Sequence, residues 1–255
     1  MKIASWNVNS LRARLAHVLD WLRAVPVDAL ALQETKVQDD DFPLAEIEAA
    51  GYRAVFSGQK SYNGVAFLYR GDARDITADI ALPGPPEKRA LAMTLGGVRV
   101  LNLYVVNGRE VGSDKYAHKL EWLAAVRAFV EAELAANPDC VVLGDFNITP
   151  GDRDVHDPEK WRGRILCSEP EREALAALMN LGLVDTFRLF DHPDDAAFSW
   201  WDYRGGDFER NRGLRIDLLL AGARLAERCL SCTVDKTPRG WERPSDHAPV
   251  VAEFA

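Results

Sequence analysis

Short apolar runs alternate with amphipathic helical patterns along the whole chain, and this alternation limits the possible folds more than any other feature of the sequence. Residues 3–8 read as a strand. Leu11, Leu15, Val18, Leu19 and Leu22 then recur at helical spacing, an amphipathic helix capped by Asn9 or Ser10 and followed by Pro26. Residues 28–33 form a second apolar strand, and 52–56 with 65–69 resemble a strand pair turned around 58–64. A further strand, 99–106, follows the Gly96-Gly97 turn. Ser113 caps a long helix over 116–135, and 140–143 is a short strand. Ser168 and Glu171 have capping-box spacing ahead of a helix ending near Gly182, and 216–220 and 248–254 close the chain as strands. Strands and helices alternating in this way predict a layered α/β domain with mixed sheets. No linker or low-complexity tract divides it, so 1–255 is expected to be one catalytic domain. Residues 151–167, polar and poorly periodic, read as a long surface loop of the kind that carries function.

Composition narrows the classes further. With 47% apolar and 27% charged residues the chain is too rich in aliphatic side chains for disorder. No stretch approaches the ~20 apolar residues of a membrane span. The N-terminal residues lack a signal-peptide pattern, which predicts a cytoplasmic protein with no membrane partner. Cys140, Cys167, Cys229 and Cys232 are too few for a disulfide framework, and the Cys229–Cys232 CxxC lacks a second ligand pair, so all four read as reduced structural thiols. A net charge of −8 argues mildly against a nucleic-acid partner, although cations bound at a carboxylate-rich site invert the local field.

The informative residues are polar groups at the ends of apolar strands. Asn7 ends the first strand and Glu34 the second; Asp145 and Asn147 follow the strand at 140–143; Asp217 interrupts the run Leu214 to Leu220; Asp246 and His247 precede the last strand. A carboxylate in such a place costs several kcal/mol unless it is paired or bound to a cation. Singly, each has a structural reading: Asp145 a turn residue, Asn147 a loop cap, Glu34 a solvated strand end, Asn7 or Asn9 a helix cap, Asp217 the ion-pair partner of Arg215 or Arg212. Together they place carboxylates, amides and an imidazole at five strand ends, and strand ends on one edge of a sheet converge on ligands. Hard oxygen donors suit Mg²⁺ or Mn²⁺, and an Asp beside a His supplies general-base chemistry. GxxxxGK[ST], GxGxxG after a strand and GxSxG are all absent, so an ATP-driven, dinucleotide or serine-hydrolase mechanism has no local support.

The segments SWNVNSLRAR, LQETK, GQKSYNGVAFL, NLYVVNG, LGDFN, FSWWDYR, NRGLRIDLLLA and PSDHAPV occur in that order over nearly the whole chain. In this it resembles the exonuclease III family of DNA-repair nucleases and AP endonucleases, within the wider endonuclease/exonuclease/phosphatase superfamily. The resemblance implies a four-layered α/β sandwich, two mixed β-sheets packed face to face with helices outside and the site at one end. It makes Glu34 the principal Mg²⁺ ligand (Mn²⁺ being the alternative) with Asn7 close by, and brings Asp246 into the metal shell directly or through water. Asp145 orients or deprotonates the attacking water, Asn147 holds that water or the phosphate, and both can enter the metal shell. His247, paired with Asp217, contacts the phosphate, and Tyr104 and Asn107 hydrogen-bond its oxygens.

The implied activity is a metal-dependent DNA phosphodiesterase of base-excision repair. It would be an abasic-site endonuclease, a 3′–5′ exodeoxyribonuclease with 3′-end cleaning, or both, leaving 3′-hydroxyl ends. Its partner would be double-stranded DNA with abasic sites or blocked or recessed 3′ ends, and the chain would act as a monomer. Arg89, Arg109, Lys115 and Arg212, with Lys88, Arg204 and Arg210, are candidate phosphate binders. Trp200 aligns with a family aromatic lining the pocket for the damaged nucleotide, with Phe198 and Trp201 adjacent. Two departures, Val106 where many relatives have Pro and the stretch 161–168, bear on substrate preference and keep open a 3′-exonuclease and 3′-phosphatase with little abasic incision. A superfamily relative acting on phospholipid or inositol phosphate is opposed by LQETK and NRGLRIDLLLA. An inactive DNA-binding module is opposed by the complete set Asn7, Glu34, Tyr104, Asp145, Asn147, Asp217, Asp246 and His247.

Overall fold

Two β-α-β crossovers organise the computed structural model, which describes residues 1–78, 80–193 and 198–255. The first joins β1 (Lys2–Asn7), α1 (Leu11–Ala24) and β2 (Ala29–Gln33). It leads through α2 (Leu44–Ala49) to β3 (Arg53–Ser57), β4 (Val65–Tyr69), β5 (Ala73–Thr77) and β6 (Ala90–Leu95). The second crossover joins β7 (Val98–Tyr104), α3 (Asp114–Ala136) and β8 (Cys140–Asp145). There follow α4 (Pro158–Trp161), α5 (Glu169–Met179), β9 (Leu183–Asp185), β10 (Asp217–Gly222), α6 (Ala223–Ala226), β11 (Cys229–Val234) and β12 (Val250–Phe254). The strands form two six-stranded mixed sheets, β11-β12-β1-β2-β4-β3 and β5-β6-β7-β8-β10-β9. Each has one parallel pair, β1 with β2 and β7 with β8, because a strand returning parallel needs a long crossover and the two longest helices supply it.

The apolar runs of the strands are continuous because both faces of each sheet are covered. Ile3, Ala31, Val65 and Phe67 of the first sheet meet Leu91, Met93, Val141, Leu143 and Leu219 of the second. On the outer face of the first sheet, Trp6, Leu30, Leu32 and Leu68 pack against Val18, Trp21 and Leu22 of α1 and Ile47 of α2. On the second, Leu101, Leu103, Val142 and Leu218 pack against Trp122, Val126 and Val130 of α3 and Leu175 and Leu178 of α5. This is the four-layered sandwich that the resemblance implies. One polar tie crosses the central core: Gln33 Nε2 donates to Asn102 Oδ1 at 2.7 Å and to Ser5 Oγ at 3.1 Å. Asn102 Nδ2 donates to the carbonyls of Leu32 and Ala66, both at 3.0 Å. It sits one residue below Glu34 and binds the sheets where the site begins.

Local signals account for most boundaries. Ser10, not Asn9, caps α1 by accepting the Ala13 N–H, and Ser113 accepts the Tyr116 N–H at the start of α3. Four strands, β5, β6, β9 and β11, were not expected from the sequence. β5 is a largely exposed, charged edge strand, β9 has three residues, and β6 is built from Ala, Leu and Met, residues that favour helices in isolation. The stretch 151–167 is not a plain surface loop. It contains α4, bridges Val155 to Leu214, and buries Asp154, Val155, Leu166 and Cys167. Asp217 opens β10 rather than interrupting a strand, because the ladder with β8 begins at the Asp217–Asp145 pair. Burial pushes the Cys140 and Cys232 thiols up to about 12, so both stay protonated. Among the described residues no helix is long and apolar enough to cross a membrane.

Candidate active site

Strand direction gathers the polar strand ends at one end of the sandwich. β1, β2, β7 and β8 all run toward it, so Asn7, Glu34, Tyr104 and Asp145 lie at or just beyond their C-terminal ends. β10 and β12 run antiparallel to their neighbours and start there, bringing Asp217 opposite Asp145 and placing Asp246 and His247 beside the end of β1. Gly144 makes the approach of β7 and β8 possible. Its φ is +138°, and a Cβ there would fall 1.9 Å from the Leu103 carbonyl oxygen. Asn9, Ser10, Glu34, Lys36, Asn63 and Asn147 all have positive φ without being glycine, so left-handed backbone is concentrated in the loops at this end. At the opposite end Asp28, Asp72, Arg70, Arg74 and Arg228 line a cavity of 640 Å³, a set that mixes two acids with three arginines and contains no histidine.

A continuous array of hydrogen bonds joins the two sheets. Asn7 Nδ2 donates to Glu34 Oε1 at 2.8 Å and to Asp145 Oδ2 at 2.9 Å. Asp145 also accepts the Asn147 backbone N–H at 2.9 Å, and Asn147 Oδ1 accepts from Asn107 Nδ2 at 3.0 Å. His247 Nδ1 lies 2.9 Å from Asp217 Oδ2, and its Nε2 lies 3.8 Å from Asp145 Oδ2. Tyr104 lies where the charges of Glu34 and Asp145 both act on its phenol, with the Arg89 guanidinium over its ring at 4.6 Å. Asp246 is set back: it accepts from Asn9 Nδ2 at 2.9 Å and Trp200 Nε1 at 3.0 Å, and is linked to Glu34 through Asn9 and then Lys36 or Asn7.

The field differs across the site. Burial raises the Glu34 carboxyl, but the Lys36 ammonium at 2.9 Å and hydrogen bonds from Asn7 and Lys36 outweigh it, leaving Glu34 below the usual carboxylate range. Asp145 is pushed up to about 7, by burial first and then by the facing Asp217, with His247 opposing. Burial lowers His247, but Asp217 and Asp145 overcome it and the imidazole is pushed up to about 10. Burial and the charges of Glu34 and Asp145 raise the Tyr104 phenol, which stays a hydrogen-bond donor. Glu34, Asp145 and His247 each offer one ligand atom, all within 4.8 Å of one another. Two carboxylates this close, with one imidazole beside them, make a donor set that fits a divalent cation.

Ten of the expected residues therefore meet here: Asn7, Glu34, Tyr104, Asn107, Asp145, Asn147, Trp200, Asp217, Asp246 and His247. The basic residues divide. Arg109 is exposed beside the centre, its N–H donating to Asn107 Oδ1, and Lys115 is exposed in the first turn of α3. Arg89 is engaged by Glu87 and Tyr104, and Arg212 by Asp207 at 2.8 Å and the Gly205 carbonyl. Neither of the ion pairs considered for Asp217 forms, since Arg215 is held by Asp154 and Asp185. Asp217 instead accepts from Ser199 Oγ at 2.6 Å. Ser199, Lys36 and Asn9 were missed as parts of the site. Lys36 and Asn9 lie two residues from named members, and that spacing was the available signal; Ser199 lies between two apolar aromatics and gave none. The aromatic trio splits: Trp201 and Phe198 are buried, while Trp200 is half-buried against Asp246.

A four-layered sandwich with an acidic, histidine-containing centre at one end defines a hydrolase. The chain belongs to the endonuclease/exonuclease/phosphatase family, whose model matches residues 4–247. It is 34% identical to exodeoxyribonuclease III of Haemophilus influenzae, covering 100% of both chains. It is similar to the structure of the 3′ phosphatase NExo from Neisseria bound to a product DNA hairpin, with a TM-score of 0.96, 46% identity, and 100% of this chain and 99% of that one covered. It is also similar to an AP endonuclease from Archaeoglobus fulgidus, with a TM-score of 0.93, 39% identity and the same coverage.

Proposed function

We propose that this chain is a metal-dependent DNA phosphodiesterase that incises at abasic sites and trims or cleans 3′ ends, leaving 3′-hydroxyl termini. The observation that carries the reading is the array from Glu34 through Asn7 to Asp145, with His247 on Asp217 beside it. Glu34 and Asp145, with Asn7 between them and Asp246 set back, would hold Mg²⁺ or Mn²⁺. When bound, the cation neutralises charge on the phosphate and helps the 3′ oxygen leave. Asp145, fixed by Asn7 and the Asn147 N–H, is placed to orient or deprotonate the attacking water. His247, held by Asp217, and the amides of Asn107 and Asn147 are placed to donate to phosphate oxygens as negative charge develops there. Arg109 and Lys115 give the rim positive charge for the backbone of duplex DNA, and Trp200 offers a half-exposed face beside Asp246. All of these residues come from both sheets, which supports a chain that works as one catalytic domain.

The test uses a labelled duplex with one internal abasic analogue beside a matched duplex with a recessed 3′ end. Each is incubated with Mg²⁺, with chelator, and with an Asp145→Asn variant. Metal-dependent incision at the analogue and release of nucleotides from the recessed end, both lost in the variant, are expected. A wild-type protein that leaves both duplexes intact would overturn the proposal.

A further inference from the structure

Helix α3 turns one charged residue into its buried face. Tyr116, Lys119, Trp122, Leu123, Val126 and Val130 share that face, and Lys119 is completely buried. Its ammonium pairs with Glu171 of α5, buried as fully, and donates to the carbonyls of Asn147 at 2.7 Å and Asn107 at 3.2 Å. All three ammonium donors are thus used. Glu171 in turn accepts the backbone N–H groups of Leu166 and Ser168, each at 3.1 Å, and the Ser168 hydroxyl. The Leu166 backbone is left-handed, with φ 71°, a conformation that surrounding bonds must hold. Gly108 lies against the lysine stem: its φ is +87°, and a Cβ there would meet Lys119 Cδ at 3.1 Å.

An apolar pair of similar volume would hold α3 on α5 at least as well, since burying two charges costs several kcal/mol that their attraction barely returns. Packing therefore does not explain Lys119, whereas its two remaining acceptors do. They are the main-chain oxygens of the two residues whose side-chain amides meet at 3.0 Å in the active site. We infer that Lys119 is a positioning residue for phosphodiester hydrolysis. It fixes the amides of Asn107 and Asn147 through their main chains and, with Glu171, fastens the segment 161–168 beneath them. This inference rests on the nuclease reading above.

The test is the charge-balanced double variant Lys119→Met/Glu171→Gln, in which the introduced side-chain amide retains an acceptor for one of the Leu166 and Ser168 N–H groups. Steady-state cleavage of the recessed duplex is measured with saturating Mg²⁺, at a temperature where thermal melting shows each variant folded. The expected result is kcat lowered on the order of tenfold with KM nearly unchanged, the effect of a displaced catalytic group. Mn²⁺ affinity should not change, because Glu34 is untouched. In an Asn147→Ala background the same pair of substitutions should lower kcat much less. Where the double variant does not fold, Glu171→Gln alone is expected to show a smaller loss of the same kind. Full kcat in a folded variant, or an equal loss in both backgrounds, overturns the inference while leaving the nuclease reading intact. A wild-type protein inert on this duplex overturns both.

Discussion

Glu34 and Asp145 occupy equivalent places in the two sheets, each at or just beyond the end of the second strand of a parallel crossover. Their surroundings are not equivalent. Glu34 keeps partial contact with solvent, has Lys36 at 2.9 Å, and is held below the usual carboxylate range against the effect of burial. Asp145 is buried, faces Asp217 across the ladder, and is pushed up to about 7. One crossover thus delivers a carboxylate that keeps its charge, and the other a carboxylate whose affinity for a proton is raised. Topology sets where a side chain goes, and the neighbours decide what it can do there. Under the proposed reaction both carboxylates face the cation, Glu34 as the permanently charged ligand, while proton handling falls to the second sheet.

The largest expected effect comes from breaking the second side alone. Asp145→Asn keeps the shape of the residue and removes its capacity to accept a proton, so single-turnover cleavage should fall by about 10²–10⁴-fold. Thermal stability should not fall, because a neutral amide removes the cost of burying the charge, along with the repulsion from Asp217. A rate within about tenfold of wild type would remove Asp145 from proton transfer. On the first side, Glu34→Gln should move the metal concentration for half-maximal rate upward by at least about tenfold, with the rate recovering at high metal. In the wild type, chelation should abolish cleavage altogether. An unchanged metal curve in the variant would show that the cation is held elsewhere.

This asymmetry was only half legible in the sequence. Asn7, Glu34, Asp145, Asp217 and His247 stood out because polar groups at the ends of apolar strands need a reason to be there, and the direction of the strands then made them converge. Their partners were not legible where they come from distant segments. Asp217 had Arg215 and Arg212 as near neighbours in sequence, yet it is held by Ser199 and His247, and the arginines are occupied by other acids. Apart from β6, the apolar strands with both faces covered were read correctly, and the helix caps Ser113 and Ser168 likewise. Edge strand β5 was not, because an exposed strand lacks the apolar signal that burial imposes.

The tie between the sheets gives the next effect. Asn102→Leu removes the side-chain donor to the carbonyls of Leu32 and Ala66 and leaves the Gln33 amide only Ser5 and Ala31, and should cost about 3 kcal/mol in unfolding free energy. Denaturant titration measures it. A change near zero would mean that Gln33 and the carbonyls find other partners, and that apolar packing alone keeps the two halves in register.

The smallest effect tests how separate the two sides are. Ser199 Oγ donates to Asp217 Oδ2 at 2.6 Å and accepts the backbone N–H groups of Ile216 and Asp217 at 3.1 and 3.0 Å. It touches neither Glu34 nor Lys36 and acts only through the carboxylate that orients His247. Ser199→Ala removes all three hydrogen bonds, of which the bond to the charged Asp217, worth about 1.5–3 kcal/mol, is the one that bears on His247, and the His247 contact retains part of it. Cleavage should slow by about tenfold, with the half-maximal metal concentration where it was. If that concentration moves as well, the loss has travelled from Asp217 through Asp145 and Asn7 to Glu34, and the two sheets form one coupled centre rather than two sides with separate tasks.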